Sequence, residues 1–172
     1  MSKKISQPIV AMPQGWFPRI GDIWPGQGIY AGIVRGEPGL PDYHLFVSAD
    51  VATDKERVAF GGYGKESPAL STFDGARNTH VLVESPDSYP AAEWAASLDV
   101  DGHKDWYLPS RRELRLLWIN VPELFKTNAW YWSSTQFSAH YAWNQSFDDG
   151  YQDGGDKDFE YRARAVRRFL IQ

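Results

Sequence analysis

The side chains that could carry chemistry are scattered, and their spacing excludes more reactions than it supports. His44, His80, His103 and His140 lie far apart and have no metal-ligand spacing. The chain has no cysteine, which removes disulfides, thiolate metal sites and cysteine nucleophiles together. No serine sits in a GxSxG elbow, so a serine hydrolase has no support. The glycine-rich stretch GQGIYA (26–31) matches a relaxed dinucleotide fingerprint, but Pro25 precedes it and β-like sequence follows, so a hairpin is expected. GGYGKES (61–67) fails as a phosphate loop, because Ala59 stands where the first glycine belongs and Glu66 follows Lys65.

The acidic run from Asp149 to Glu160 comes closest to a known constellation. Asp149, Asp153, Gly154 and Glu160 fit positions one, five, six and twelve of a calcium loop, but Tyr151 occupies position three and no helix follows. A helix–loop–helix calcium site is therefore excluded. A hard cation held near Asp148, Asp149 and Asp153, with Asp156 and Asp158 close by, stays open beside the plainer reading of a solvated Gly/Asp loop, and no cofactor is expected.

Composition points toward recognition. The chain of 172 residues contains eight Trp, nine Tyr and nine Phe, an aromatic excess that suits strands and contact surfaces. Its net charge of −4 argues against nucleic-acid binding by counterion release. No segment approaches the roughly 18 apolar residues that cross a membrane, so no membrane insertion is expected. No signal-peptide core is visible, which implies synthesis in the cytoplasm.

The elements that must position these residues read as strands, two helices, then strands. Residues 1–14 read as an arm interrupted by Pro8 and Pro13, and 15–172 as one domain. Residues 20–48 predict two or three strands, with Ile29, Ala31 and Ile33 alternating and GEPGLPD as a turn. RVAFGGYG (57–64) and THVLVE (79–84) predict short strands. SYPAAEWAASLDV (88–100) predicts a helix with Ser88 as cap and Pro90 in its first turn. PSRRELRLLWIN (109–120) predicts a second, with a Ser110–Glu113 capping box, a buried face of Leu114, Leu117 and Trp118, and Arg111, Arg112 and Arg115 mostly on the opposite side. AWYWSST, YAWNQSF and YRARAVRRFL predict the closing strands. In the last, Arg162, Arg164 and Arg168 would share one side and could pair with the acidic run just upstream, while Ala163, Ala165, Arg167 and Phe169 share the other.

Four ordered motifs, DGHKDWYLPSRRELRLLW, YWSST, AWNQSFDDG and RARAVRRF, cover about residues 88–170 and resemble the C-terminal domain family of the Legionella collagen-like protein. The resemblance implies an α+β, C-type-lectin-like fold with two helices packed on short twisted antiparallel sheets and long loops. The stretch after residue 130 is also similar to the variable proteins of diversity-generating retroelements. That likeness implies a frame of YWSST, Ala142, Trp143 and RARAVRRF, with Trp132 and Trp143 packed inward and Ser133, Ser134 and Thr135 bonding backbone. It implies display of Phe137, Ser138, His140, Tyr141, Asn144, Ser146, Asp149, Tyr151, Asp153 and Asp156. Tyr with Ser, Asn and Gly is the composition of antibody paratopes.

The expected function is a ligand-binding, non-enzymatic display protein of a phage or prophage particle, at the tail tip or fibre. Its partners would be a host-surface protein or glycan, other virion proteins and further copies of itself. Formylglycine-generating chemistry, found elsewhere in the superfamily, needs cysteines that the chain lacks. Trp143–Gln145 only partly matches the set used for calcium-dependent sugar binding. The alternatives are a structural virion or assembly protein and a metal-dependent enzyme using the aspartates.

Overall fold

The computed structural model describes residues 17–171; the arm expected over 1–14 lies outside the described residues. Strands β1 (Ile23–Trp24), β2 (Gly28–Val34), β3 (Tyr43–Val47) and β4 (Asp54–Ala59) precede three helices, α1 (Gly75–Val83), α2 (Pro90–Ala96) and α3 (Arg111–Asn120). Strands β5 (Trp130–Gln136), β6 (Tyr141–Ser146), β7 (Gln152–Asp156), β8 (Glu160–Arg164) and β9 (Val166–Leu170) follow. They form two sheets, ordered β1-β2-β3-β9 and β4-β8-β5-β6-β7, antiparallel except where β5 meets β8. One core gathers Phe60, Tyr89, Leu108 and Trp132, and the other Tyr43, Leu45, Leu114, Leu117, Tyr131 and Phe147.

Most elements follow the expected local signals. GQGIYA opens β2, paired back on β1 as a hairpin with Trp24 opposite Gly28. A register shift between Tyr30 and Gly32 breaks the expected alternation, leaving Ala31 in the core and Ile33 exposed. The α3 capping box is present: Ser110 Oγ accepts from the Glu113 amide at 3.3 Å, and Glu113 Oε2 accepts from the Ser110 amide at 2.7 Å. Helix α2 is shorter than expected and has Tyr89, not Ser88, at its N-cap; the Tyr89 amide donates to Glu93 Oε1 at 2.7 Å.

Two expectations are corrected. THVLVE is not a strand but largely the second half of α1. Asp74 caps that helix by accepting from the Arg77 amide, and Gly75, Asn78, Thr79 and Leu82 are buried at helical spacing. The β-branched Thr79, Val81 and Val83 carry the misleading strand signal. YRARAVRRFL is not one strand: the chain changes sheet at Ala165, between β8 and β9. Its arginines do not reach the acidic run upstream. Arg162 and Arg164 pair with Asp54, Arg167 with Asp105, and Arg168 with Asp74.

Candidate ligand-contact surface

Over residues 141–144 strand β6 separates frame from surface by alternation, and beyond them Gln145 is covered by α3. Ala142 and Asn144 turn inward, and Asn144 lies opposite Trp132, whose ring is fully buried against Phe60 and Tyr161. Tyr141 and Trp143 turn the other way. Trp143 is therefore not packed inward as expected; it is half-buried, and Phe137 stands edge-on to it with centroids 4.7 Å apart. Phe137 is 52% and Tyr141 43% exposed. Gly154 lies opposite Trp143 on β7, and a Cβ there would meet the Phe137 ring at 3.3 Å, so the missing side chain lets Phe137 lie over β7.

Helix α3 supplies the rest of this surface. Arg111 lies flat over Trp143, 3.5 Å from its centroid, a cation–π contact. Its Nε donates to Gln152 Oε1 at 3.0 Å, and Gln152 Nε2 donates back to the Arg111 carbonyl at 2.8 Å and to Gln145 Oε1 at 2.7 Å. Gln145 Nε2 in turn donates to the Leu114 carbonyl. The Arg111 amide donates to Thr135 Oγ1, whose own hydroxyl bonds the Ser71 carbonyl. The helix start is thus fastened to β5, β6 and β7.

Arg112 stacks on Phe73 at 3.7 Å and Arg115 lies over Trp118 at 5.8 Å. With Thr72 and Gln152 the three arginines line a groove of about 320 Å³. Among the described residues none of the three forms an ion pair with a carboxylate. Burial, and then the repulsion of Arg115 and Arg112, holds the Arg111 guanidinium below its ordinary range. These arginines were not among the expected site residues. Their signal was legible: none has an acidic residue three or four positions away on the outward face of the helix.

The remaining expected residues divide. Tyr151 is 58% exposed and stands edge-on to Trp130, and Asp149 accepts from the Tyr151 amide at 3.0 Å, which holds its carboxyl below the usual range. His140 is exposed and edge-on to Tyr63 at 4.9 Å. Ser138 Oγ accepts from the His140 and Tyr141 amides. Asp153 is exposed and Asp156 half-buried. Asn144 and Ser146, expected on display, are instead buried at 2% and 7%, because alternation places them with the frame. The frame hydroxyls do bond backbone: Ser133 to the Trp143 carbonyl, Ser134 to that of Pro109 and Thr135 to that of Ser71.

The aspartates do not converge. Asp149 and Asp153 accept from nearby backbone amides, and the run continues as strand β7 rather than a free loop. Among the described residues no group of three or more His, Asp or Glu side chains could share a metal ion. No helix of the described residues is long and apolar enough to cross a membrane.

Three helices packed on two mostly antiparallel sheets, with the closing strands carrying an aromatic surface, define an α+β lectin-like domain of the C-type-lectin-like fold. The chain belongs to the Lcl C-terminal domain family, whose model matches residues 65–167, more than half its length. No curated protein sequence matches it.

Proposed function

We propose that this protein is a non-enzymatic ligand-binding display protein whose surface over residues 136–156, extended by Arg111, Arg112 and Arg115, contacts a host-surface protein or glycan from a phage or prophage particle. The observation that carries this reading is the continuity of Phe137, Tyr141 and Trp143 with an arginine held flat on Trp143. Exposed aromatics offer large contact area at small rotamer cost, and unpaired guanidiniums favour a ligand with acidic groups. Display falls to Phe137, Ser138, His140, Tyr141, Asp149, Tyr151, Asp153 and Asp156, since burial removes Asn144 and Ser146.

Two experiments test it. Binding to glycan arrays and to whole bacterial cells should weaken at least about tenfold in Tyr141→Ala, the range of an interface anchor. Unchanged binding would place the contact elsewhere. Sequencing the locus across one population should find variation confined to the exposed codons, and uniform codons there would remove the diversification part. Assembly is a second reading, favoured by exposed Phe17, Ile20, Ile23, Ile33 and Phe169 at or beside the first sheet. Those side chains would dock the domain on a larger body while the second sheet meets the ligand.

A further inference from the structure

Lys157 is fully buried, yet among the described residues no carboxylate forms an ion pair with its ammonium. Nζ donates instead to Gln136 Oε1 at 2.8 Å, the Lys65 carbonyl at 2.9 Å and the Ala139 carbonyl at 3.0 Å, with the Gly62 carbonyl at 3.4 Å. Three close acceptors match the three hydrogens of an ammonium. The Phe60 ring lies 5.7 Å away. Gln136 is oriented by its other contacts: Nε2 donates to Glu66 Oε2 at 2.6 Å, and Oε1 also accepts from the Ser67 amide. Among the described residues Glu66 is the acidic group linked to the cage: it holds Gln136 by a hydrogen bond, and its charge favours the ammonium.

The cage lies between two segments that the main chain has already brought together. The Lys157 amide donates to the His140 carbonyl, the Gly61 amide donates to the Lys157 carbonyl, and the Gly64 amide donates to the Ala139 carbonyl at 2.9 Å. What the side chain adds is the positive centre of a hollow lined by neutral oxygens. Calcium would need oxygens at about 2.3–2.6 Å and carboxylates among them. This cage is wider and has none, which suits a monovalent cation.

We propose that the oxygens of Gly62, Lys65, Gln136 and Ala139 form a monovalent-cation site that the chain fills with its own Lys157 ammonium, and that this tethered cation joins the segment carrying Tyr63 to the segment carrying His140. The Tyr63–His140 pair then forms one edge of the exposed surface. That this edge meets ligand rests on the proposed function; the cation site does not. Burial pushes the ammonium down to about 8, with Glu66 pulling the other way, so a charge is kept here at a cost. A buried ion of this kind fixes one arrangement of the segments it joins more than it raises stability.

The test uses the whole chain and no ligand. Amide hydrogen exchange is followed in the wild type and in Lys157→Ala, in potassium, ethylammonium and tetramethylammonium chloride at equal ionic strength. Exchange at Gly64 and Phe137–Tyr141 should quicken about tenfold in the variant, while amides of α3 stay protected. Potassium and ethylammonium should restore protection, and tetramethylammonium, bulky and without N–H donors, should not. Wild-type exchange rates in the variant would overturn the proposal, as would equal rescue, or none, by all three salts. Should Lys157→Ala not fold, nitrogen NMR of the wild type near pH 6 decides. A caged ammonium gives a lysine Nζ signal whose hydrogens leave slowly, and a protein with only fast-exchanging lysine ammoniums would refute the cage.

Discussion

Replacing Glu113 with Gln should loosen the helix that carries the arginine groove. The Glu113 carboxylate is completely buried and serves three donors: Tyr107 Oη at 2.6 Å and Tyr43 Oη at 2.7 Å on Oε1, and the Ser110 amide at 2.7 Å on Oε2. Gln fills the same volume but has one acceptor oxygen. If that oxygen faces the two tyrosines, its NH2 meets the Ser110 amide, donor against donor; if the group turns over, both hydroxyls lose their carboxylate. Either arrangement leaves at least one buried donor unpaired, at about 1–3 kcal/mol, and converts charge-assisted bonds into neutral ones of roughly half the strength. The expected loss is about 2–4 kcal/mol, which for a chain of this size lowers Tm by roughly 5–15 °C. Differential scanning calorimetry at pH 7 measures it. The buried tyrosine hydroxyls supply an independent readout, because burial and then Glu113 raise both far above the ordinary phenol range, and the substitution should bring them down. A variant that melts within about 1 °C of wild type would show that Glu113 is not the anchor described.

Other consequences follow from the same geometry. Gly155→Ala should destabilise the fold by about 1–3 kcal/mol, because a Cβ there would run into Asn144, Tyr161 and the buried Trp132 ring; urea unfolding checks it. Gly154→Val, one residue away on the outer face, should displace Phe137 and weaken ligand binding while leaving the urea midpoint nearly unchanged. Lys157 predicts a pH dependence of stability. Its folded value of about 8 lies below the ordinary 10.5, so the folded chain releases this proton first. Stability should therefore rise as pH increases from about 8 to 10.5, by up to about 3 kcal/mol, relative to Lys157→Met, which lacks the proton. Unfolding free energies of both proteins at pH 7.5 and 10 give the difference, and parallel profiles would count against a perturbed ammonium.

Much of the fold was legible because local signals agreed with it. The Ser110–Glu113 box, the GQGIYA hairpin and the closing strands each have a mechanism readable over a few residues. The failures arose where tertiary contacts overrule a local pattern. THVLVE has strand composition, yet Asp74 and the buried face of Asn78, Thr79 and Leu82 make it helix. The sheet change at Ala165 has no local signature, since alternation looks continuous across it. Within the surface, Phe137, Tyr141 and Tyr151 are exposed, as their types suggested, but the direction of Trp143 differs. Trp143 reads as core in composition, and only the register of β6 with β7 and the approach of Arg111 turn it outward. Asn144 and Ser146 fail for the converse reason, being polar residues of paratope type on the inward face. Lys157 was invisible in sequence, because three of its four partners are backbone carbonyls, which any residue could provide, and the fourth, Gln136, is 21 residues away.

The most direct test of the contact surface compares two faces of one protein on the same cells. Fluorescently labelled wild type, an Arg111→Ala/Tyr141→Ala double variant and Phe169→Ser, altered on the first sheet, are titrated onto a panel of bacterial cells after each is shown to keep its far-UV circular dichroism and Tm. The surface described here predicts that half-saturation rises at least about tenfold for the double variant, that added salt weakens wild-type binding more than the double variant's, and that Phe169→Ser binds as wild type. Undiminished binding by the double variant, with loss in Phe169→Ser, would contradict it and make the first sheet the recognition face.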